Sequence, residues 1–352
     1  MSFLNKEGKR MYPIEMSELM NSNLSFKQKI LFLSNINFEI RSISAARYLN
    51  QHCSQDIIWS FFQIAGYGSQ YEEKCNEYQK IHYNEIISEI NLNLINEKKI
   101  IRLIDPLIRP DEDLILYYKD LIARNPGVQT IIFDITAIPK VCYIPFLNWL
   151  LNGNLRGSDF FIVYTKPKSY GKSELASEPY PPKLIIGEPL GKRDLIWIPS
   201  LGFKSEFTKK CWDYINNLRN LNKEINIRIY PLLGFPAFKP DYFDKSLLLH
   251  HKTFSSIPDF RNSLKNQAIY ATADDPYDVY HKVSKIANNN KEKDIVLSPV
   301  GSKPMSIGIA LAGIFLGLRI ILIQAKTYHP DYSEGTGEIS VYWLKRDDKY
   351  TF

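Results

Sequence analysis

Residues 30–49, ILFLSNINFEIRSISAARYL, lie without a gap on residues 195–214, LIWIPSLGFKSEFTKKCWDY. Each stretch is an apolar run of strand type, a polar turn ending in Phe (Phe38 and Phe203), and a helical pattern. A chain that spells one supersecondary unit twice is confined to architectures that hold two copies of it. The pairing reaches further along the chain. The second strands begin at Asp56 and Asn226 and the fourth at Thr130 and Asp294, nearly the same distance beyond each first strand.

In the first half the strand-like runs are KILFLS (29–34), DIIWSFF (56–62), KKIIRLI (98–104), TIIFDI (130–135) and DFFIVY (159–164). The second half has DLIWIP (194–199), NIRIYPLL (226–233), QAIYATA (267–273), DIVLSP (294–299) and RIILIQ (319–324). Helical patterns at 41–50, 71–94 and 112–124, and again at 205–217, 276–288 and 305–315, separate them. Short apolar runs alternating with helices signal an α/β protein with a parallel sheet. The expected fold is therefore α/β: two tandem Rossmann-like units with mainly parallel sheets, related by a pseudo-two-fold axis. The expected division is an N-terminal extension over 1–28, a first lobe over 29–170, a linker over 171–193 and a second lobe over 194–352. KPKSYGKSELASEPYPPK (166–183) reads as an exposed crossing, and 234–260, rich in Pro and aromatics, as an excursion of the second lobe that covers the cleft or docks a partner.

Composition narrows the function classes. A chain of 352 residues, 45% hydrophobic and 23% charged, suits a two-domain globular protein. Its net charge of +6 is spread thinly, which fits a small anionic ligand better than a long nucleic acid. Cys53, Cys75, Cys142 and Cys211 have no CxxC spacing, so zinc is not expected, and no metal or cofactor is assigned. MSFLNKEGKRMYP has no apolar leader pattern, and the long apolar stretch 307–323 is broken by glycines and Arg319. The expectation is a cytoplasmic protein with free thiols and no membrane association.

Ligands of open α/β sheets sit beyond the carboxyl ends of the strands, where helix N-termini present unpaired N–H groups to anions. The fourth-strand turns align as IIFDITAIPKVCYIPFLNWLL from Ile131 and IVLSPVGSKPMSIGIALAGIF from Ile295. In the second, Ser298, Gly301, Ser302 and Lys303 offer a hydroxyl, a close backbone approach and a charge. Thr136 and Lys140 are the counterparts in the first. The first-strand turns add Asn35 and Asn37 on one side and Ser200 and Lys204 on the other, and Lys326 and Tyr328 follow the last strand run. Amides, hydroxyls, lysines and an aromatic ring suit a phosphorylated, base-bearing ligand. GxxxxGK[ST], GxGxxG and GxSxG are all missing. Asp134, Asp105, Asp274 and Asp275 read as capping and turn residues before catalysts, and His250-His251 as packing or surface before metal ligands. No catalytic residue is assigned.

LSPVGSKPMSIGIALAG, a strand ending in a Gly-Ser-Lys turn before a small-residue helix, resembles the turn motif of the CRISPR-associated Rossmann-fold (CARF) family. Two such units in one chain resemble its SAVED relatives, sensors of cyclic oligonucleotides in antiphage signalling. The resemblance implies a ligand lying across the pseudo-two-fold axis, touched by the turns after the first and fourth strands. It would be gripped by Ser298, Gly301, Ser302 and Lys303, by Thr136 and Lys140, and by Asn35, Asn37, Ser200 and Lys204. It further implies a cytoplasmic sensor that relays a nucleotide-derived signal to a separate effector protein chain. The alternatives are an enzyme that hydrolyses or transfers a nucleotide or phosphosugar in the same cleft, with Asp134 or Lys303 near the chemistry, and a scaffold with vestigial clefts.

Overall fold

The computed structural model describes residues 12–21, 26–27, 29–65, 71–90, 95–102, 110–155, 157–170, 179–188, 194–220, 225–257, 260–347 and 349–352. The chain divides into two units, Met1–Glu178 with Ala325–Phe352, and Pro179–Gln324.

In the first unit, among the described residues, the strands are β1 (Ile14–Glu15), β2 (Ile30–Asn35), β3 (Ile57–Ala65), β4 (Ile95–Arg102), β5 (Thr130–Asp134) and β6 (Asp159–Tyr170). α1 (Met16–Asn21), α2 (Ser44–His52), α3 (Glu72–Glu89), α4 (Pro110–Arg124) and α5 (Lys140–Trp149) lie between them. The second unit holds β7 (Lys183–Ile186), β8 (Leu195–Ser200), β9 (Ile227–Ile229), β10 (Leu232–Gly234), β11 (Ile269–Ala271), β12 (Asp294–Pro299) and β13 (Arg319–Leu322). Its helices are α6 (Ser205–Asn220), α7 (Pro240–Ser256), α8 (Phe260–Asn266), α9 (Pro276–Asn288) and α10 (Lys303–Leu316). The chain then returns to the first unit with β14 (Ser333–Arg346) and β15 (Lys349–Tyr350).

The parallel part of the first sheet runs β6-β5-β2-β3-β4, and that of the second runs β13-β12-β8-β10-β11. Counted within each copy, both place the third, second, first, fourth and fifth strands side by side in that order. The ladders agree as well. Ile30 faces Thr130 and Ser34 faces Asp134, while Leu195 faces Asp294 and Ser200 faces Pro299. The gapless sequence pairing therefore marks equivalent positions in two α/β units with mostly parallel sheets. β2, β5, β8 and β12 are buried along their whole length, which is why they read as continuous apolar runs rather than alternating ones.

Three boundaries differ from expectation. The expected second lobe of 194–352 ends at Gln324, because β14 pairs antiparallel with β6, from Ser333 opposite Tyr170 to Lys345 opposite Phe160. β6 is twelve residues long and would otherwise leave an unpaired edge. Trp343 stacks on Phe161 with ring centroids 4.9 Å apart, joining the core of Phe32, Trp59 and Phe61. Of the expected extension over 1–28, the described residues 12–21 also pack into this unit, since Ile14 faces Val341 and Met16 and Leu19 are buried. The linker over 171–193 contains β7, which covers β13 antiparallel, while 171–178 and 189–193 lie outside the described residues. Lys166–Tyr170, expected in an exposed crossing, is the end of β6.

The run NIRIYPLL is two strands. Pro231 has no N–H to give to a ladder, and the chain breaks there into β9 and β10. The excursion over 234–260 is largely helix, α7 starting at Pro240 in its first turn.

α10 is buried almost throughout, and its small residues explain why. A Cβ on Gly308 would press on the Pro276 carbonyl and lie 2.6 Å from Val279 Cβ. This glycine lets α9 and α10 touch backbone to backbone. Gly308→Ala is expected to lower stability by about 2 kcal/mol, roughly 3 from overpacking offset by about 1 from the better helix propensity of alanine. Urea denaturation reads this directly, and an unchanged midpoint would mean that α9 can move aside.

Candidate functional site

The second unit's turn after β12 is built by hydroxyls acting as struts. Trp197 Nε1 donates to Ser298 Oγ at 2.9 Å, and the Gly301 N–H donates to Ser200 Oγ at 2.8 Å. Ser302 caps α10: its Oγ accepts from Met305 N at 3.3 Å and donates to the Ala273 carbonyl at 2.9 Å. Gly202 has no room for a side chain, since a Cβ there would lie 2.7 Å from the Val300 carbonyl oxygen. Gly301 is confined less severely, by the side-chain atoms Ser200 Oγ at 3.0 Å and Met305 Sδ at 3.3 Å. The turns after the first and fourth strands thus meet through their backbones at the N-terminus of a fourteen-residue helix. Lys204, Gly301, Ser302 and Lys303 are half-exposed there, whereas Ser200 and Ser298 are fully buried. The positive end of a helix dipole and two lysines make an edge suited to an anion.

The first unit brings its expected residues together too, but seals them. The Ala137 carbonyl accepts from Asn35 Nδ2 at 3.0 Å and from Asn37 Nδ2 at 3.1 Å. Asn35 Oδ1 accepts from Ile64 N and Asn37 Oδ1 from Phe38 N. From α3, Gln79 donates to the Ile36 carbonyl and His82 Nδ1 to the Asn37 carbonyl, at 2.8 Å each. Thr136 Oγ1 accepts from Thr165 N, and Asp134 accepts from Thr136 N and from Ser34 Oγ. Residues 35–39 and 134–138 are all buried. Where the second unit has Gly202 and Gly301, the first has Asn37 and Ala137, and the asparagine amides hold the two turns together. Lys140 is the first residue of α5 and half-buried, and Lys326 is exposed. Tyr328 belongs to this unit, its hydroxyl pushed above its ordinary range by burial and then by neighbouring Cys142 and Glu39.

A charged cluster escaped the sequence reading. Arg41, buried, donates from Nε to Glu39 Oε2 at 2.6 Å, from Nη1 to the Thr165 carbonyl at 2.9 Å and from Nη2 to Tyr332 Oη at 2.7 Å. Ser333 Oγ also donates to Glu39, at 2.8 Å. Burial opposes the charge on Arg41, but Glu39 and the hydroxyls of Tyr332, Tyr164 and Tyr170 outweigh it and hold its pKa above the usual guanidinium range. The only sequence signal was Glu39 two residues before Arg41 in a turn, which ordinarily reads as surface.

Of the remaining candidates, Asp275 caps α9 through Tyr277 N and Asp278 N, and Asp105 lies outside the described residues. His250 is fully buried in α7: Nδ1 donates to the Ser246 carbonyl and Nε2 accepts from Thr208 Oγ1, both at 2.9 Å. His251 is exposed. Among the described residues there is no group of His, Cys, Asp and Glu able to hold a metal, and no helix is long and apolar enough to cross a membrane.

No family model matches the chain, and no curated protein matches it. Among solved structures, a proposed universal stress protein from Pseudomonas aeruginosa is similar at a TM-score of 0.26 and 9% identity, covering 84% of this chain and 92% of that one. A protein of unknown function from the same species gives a TM-score of 0.24 at 9% identity, with coverages of 84% and 92%.

Proposed function

We propose that the second unit binds a small phosphorylated, nucleotide-derived ligand at the turn between β12 and α10, and that the chain is a sensor that passes occupancy of this turn to a separate effector protein. The observation that supports the reading is the contrast between the two copies. In the second, glycines bring the backbone of two turns and a helix N-terminus to a half-exposed edge beside Lys204 and Lys303. In the first, the equivalent turns are buried and bonded to each other. One copy keeps the site while the other is closed. The CARF-like turn in residues 297–313 and the duplicated units are consistent with a signalling role, and cyclic oligonucleotides are the ligand class that the resemblance favours.

The test has two steps. Native mass spectrometry of protein purified from cells identifies a bound nucleotide, and calorimetry then compares wild type with Lys303→Ala. A lost charge-assisted contact of about 1.5–3 kcal/mol corresponds to roughly ten- to a hundredfold weaker binding. Lys140→Ala, at the sealed copy, is expected to leave affinity within about twofold. Equal affinity of wild type and Lys303→Ala would reduce the turn to a structural feature and remove the sensor reading's main support.

A further inference from the structure

Leu201-Gly202-Phe203, just beyond the end of β8, and Leu233-Gly234-Phe235, which closes the neighbouring parallel strand β10, spell the same tripeptide. Leu232 faces Ser200 in the β10–β8 ladder, so the two tripeptides start level, although Leu233 and Gly234 still pair with Tyr270 and Ala271 of β11. Each glycine is pinned against the turn that starts α10. Gly202 meets Val300 and Gly301; a Cβ on Gly234 would lie 2.9 Å from Ala273 Cβ and 3.3 Å from Met305 Sδ. Ala273 is also the residue whose carbonyl accepts the Ser302 hydroxyl. Both phenylalanines therefore follow glycines that pack against the same capped helix start, on the β8–β10 side of β12.

Consecutive residues in the first turn of α7 meet them. Phe203 lies against Tyr242, with centroids 5.0 Å apart at 87°, and Phe235 against Phe243, 5.3 Å apart at 65°. Tyr270 adds a third ring beside Phe235 at 6.4 Å. Lys245 Nζ stands 5.0 Å from the Phe203 centroid and Lys239 Nζ 5.8 Å from that of Tyr242. Phe203 is half-buried, but rings serving only the core would be covered, and Phe235 is 54% and Tyr270 46% exposed. Open aromatic rings flanked by cations favour a flat, electron-rich ring joined to an anion.

We propose that Phe203 and Phe235 are the walls on which the base of a phosphorylated ligand stacks, with its phosphate at the α10 turn. This inference rests on the anion-binding reading of that turn and names the part of the ligand that the turn itself cannot select.

The experiment compares two probes on the full chain by calorimetry: ADP, and ribose 5-phosphate, which has phosphate but no base. Wild type is expected to bind ADP roughly tenfold more tightly than ribose 5-phosphate. Phe235→Leu and Phe203→Leu are each expected to weaken ADP about tenfold and leave ribose 5-phosphate unchanged. Phe235→Leu replaces a ring already half in solvent, and its unchanged circular dichroism and melting would show that it folds. Equal binding of the two probes by wild type, or equal weakening of both by the Phe variants, overturns the stacking walls while the Lys303 effect still stands. Failure of wild type to bind either probe at millimolar concentration overturns the anion reading, and the stacking walls with it.

Discussion

Arg41→Ala is expected to destabilise the first unit by about 3–5 kcal/mol, the usual cost of leaving one member of a buried ion pair without its partner. Glu39 would keep Ser333 Oγ as a donor, but its carboxylate, buried in the intact protein, would face the space left by the guanidinium. The Thr165 carbonyl and the Tyr332 hydroxyl would lose their guanidinium donors as well. Hydrogen exchange at the amides of β2, β5 and β6 measures the effect in the unit where it arises. A double variant, Arg41→Met with Glu39→Gln, is expected to recover most of the loss, because it removes both charges and roughly keeps the volume. A loss below about 1 kcal/mol for Arg41→Ala would show that water reaches Glu39 and that the pair behaves as a surface bridge.

The parallel cores were legible because their sequence signals are local and redundant. β2, β5, β8 and β12 are buried on both faces, so each is an unbroken apolar run, and equal spacing between runs carried the register of Ile30 with Thr130 into that of Leu195 with Asp294. β14 was not legible from its own residues. Its pairing with β6 joins Ser333 to Tyr170, which the whole second unit separates in sequence, and no local pattern carries such a connection. The site residues divide along the same line. Gly301, Ser302 and Lys303 sit where the motif placed them, at a capped helix start. Asn35 and Asn37 were in the right turn, but their amides are taken up by the Ala137 carbonyl, and a donor's partner cannot be read from its residue type. Glu39 and Arg41 were missed because charged side chains in a turn usually face water. Here Tyr332 and Ser333, brought by the returning C-terminal segment, complete a buried shell around them.

His250 makes the second unit's stability sensitive to acid. Burial pulls its pKa down from 6.5 to about 4, only partly opposed by its bond to the Ser246 carbonyl. The ring is neutral in the folded protein, and Thr208 Oγ1 donates to the bare Nε2. The unfolded chain takes up a proton near pH 6.5 and the folded chain does not until about pH 4, so between those values the unfolded state binds more protons. Stability must therefore fall as the pH drops through that window. Each pH unit crossed inside it costs up to about 1.4 kcal/mol, so the loss relative to neutral pH is about 2 kcal/mol at pH 5 and about 3 kcal/mol at pH 4. Other groups titrate in the same range, so the diagnostic quantity is the difference from His250→Gln, measured by urea denaturation at several pH values. The variant is expected to be less stable than wild type at pH 7, where it loses the fitted ring, and to show a shallower decline below pH 6. Wild type and variant curves that run parallel from pH 7 to pH 4 would mean that His250 takes up its proton in the folded protein as readily as in the unfolded one. Thr208 would then have to turn its hydroxyl to accept from Nε2 rather than donate to it.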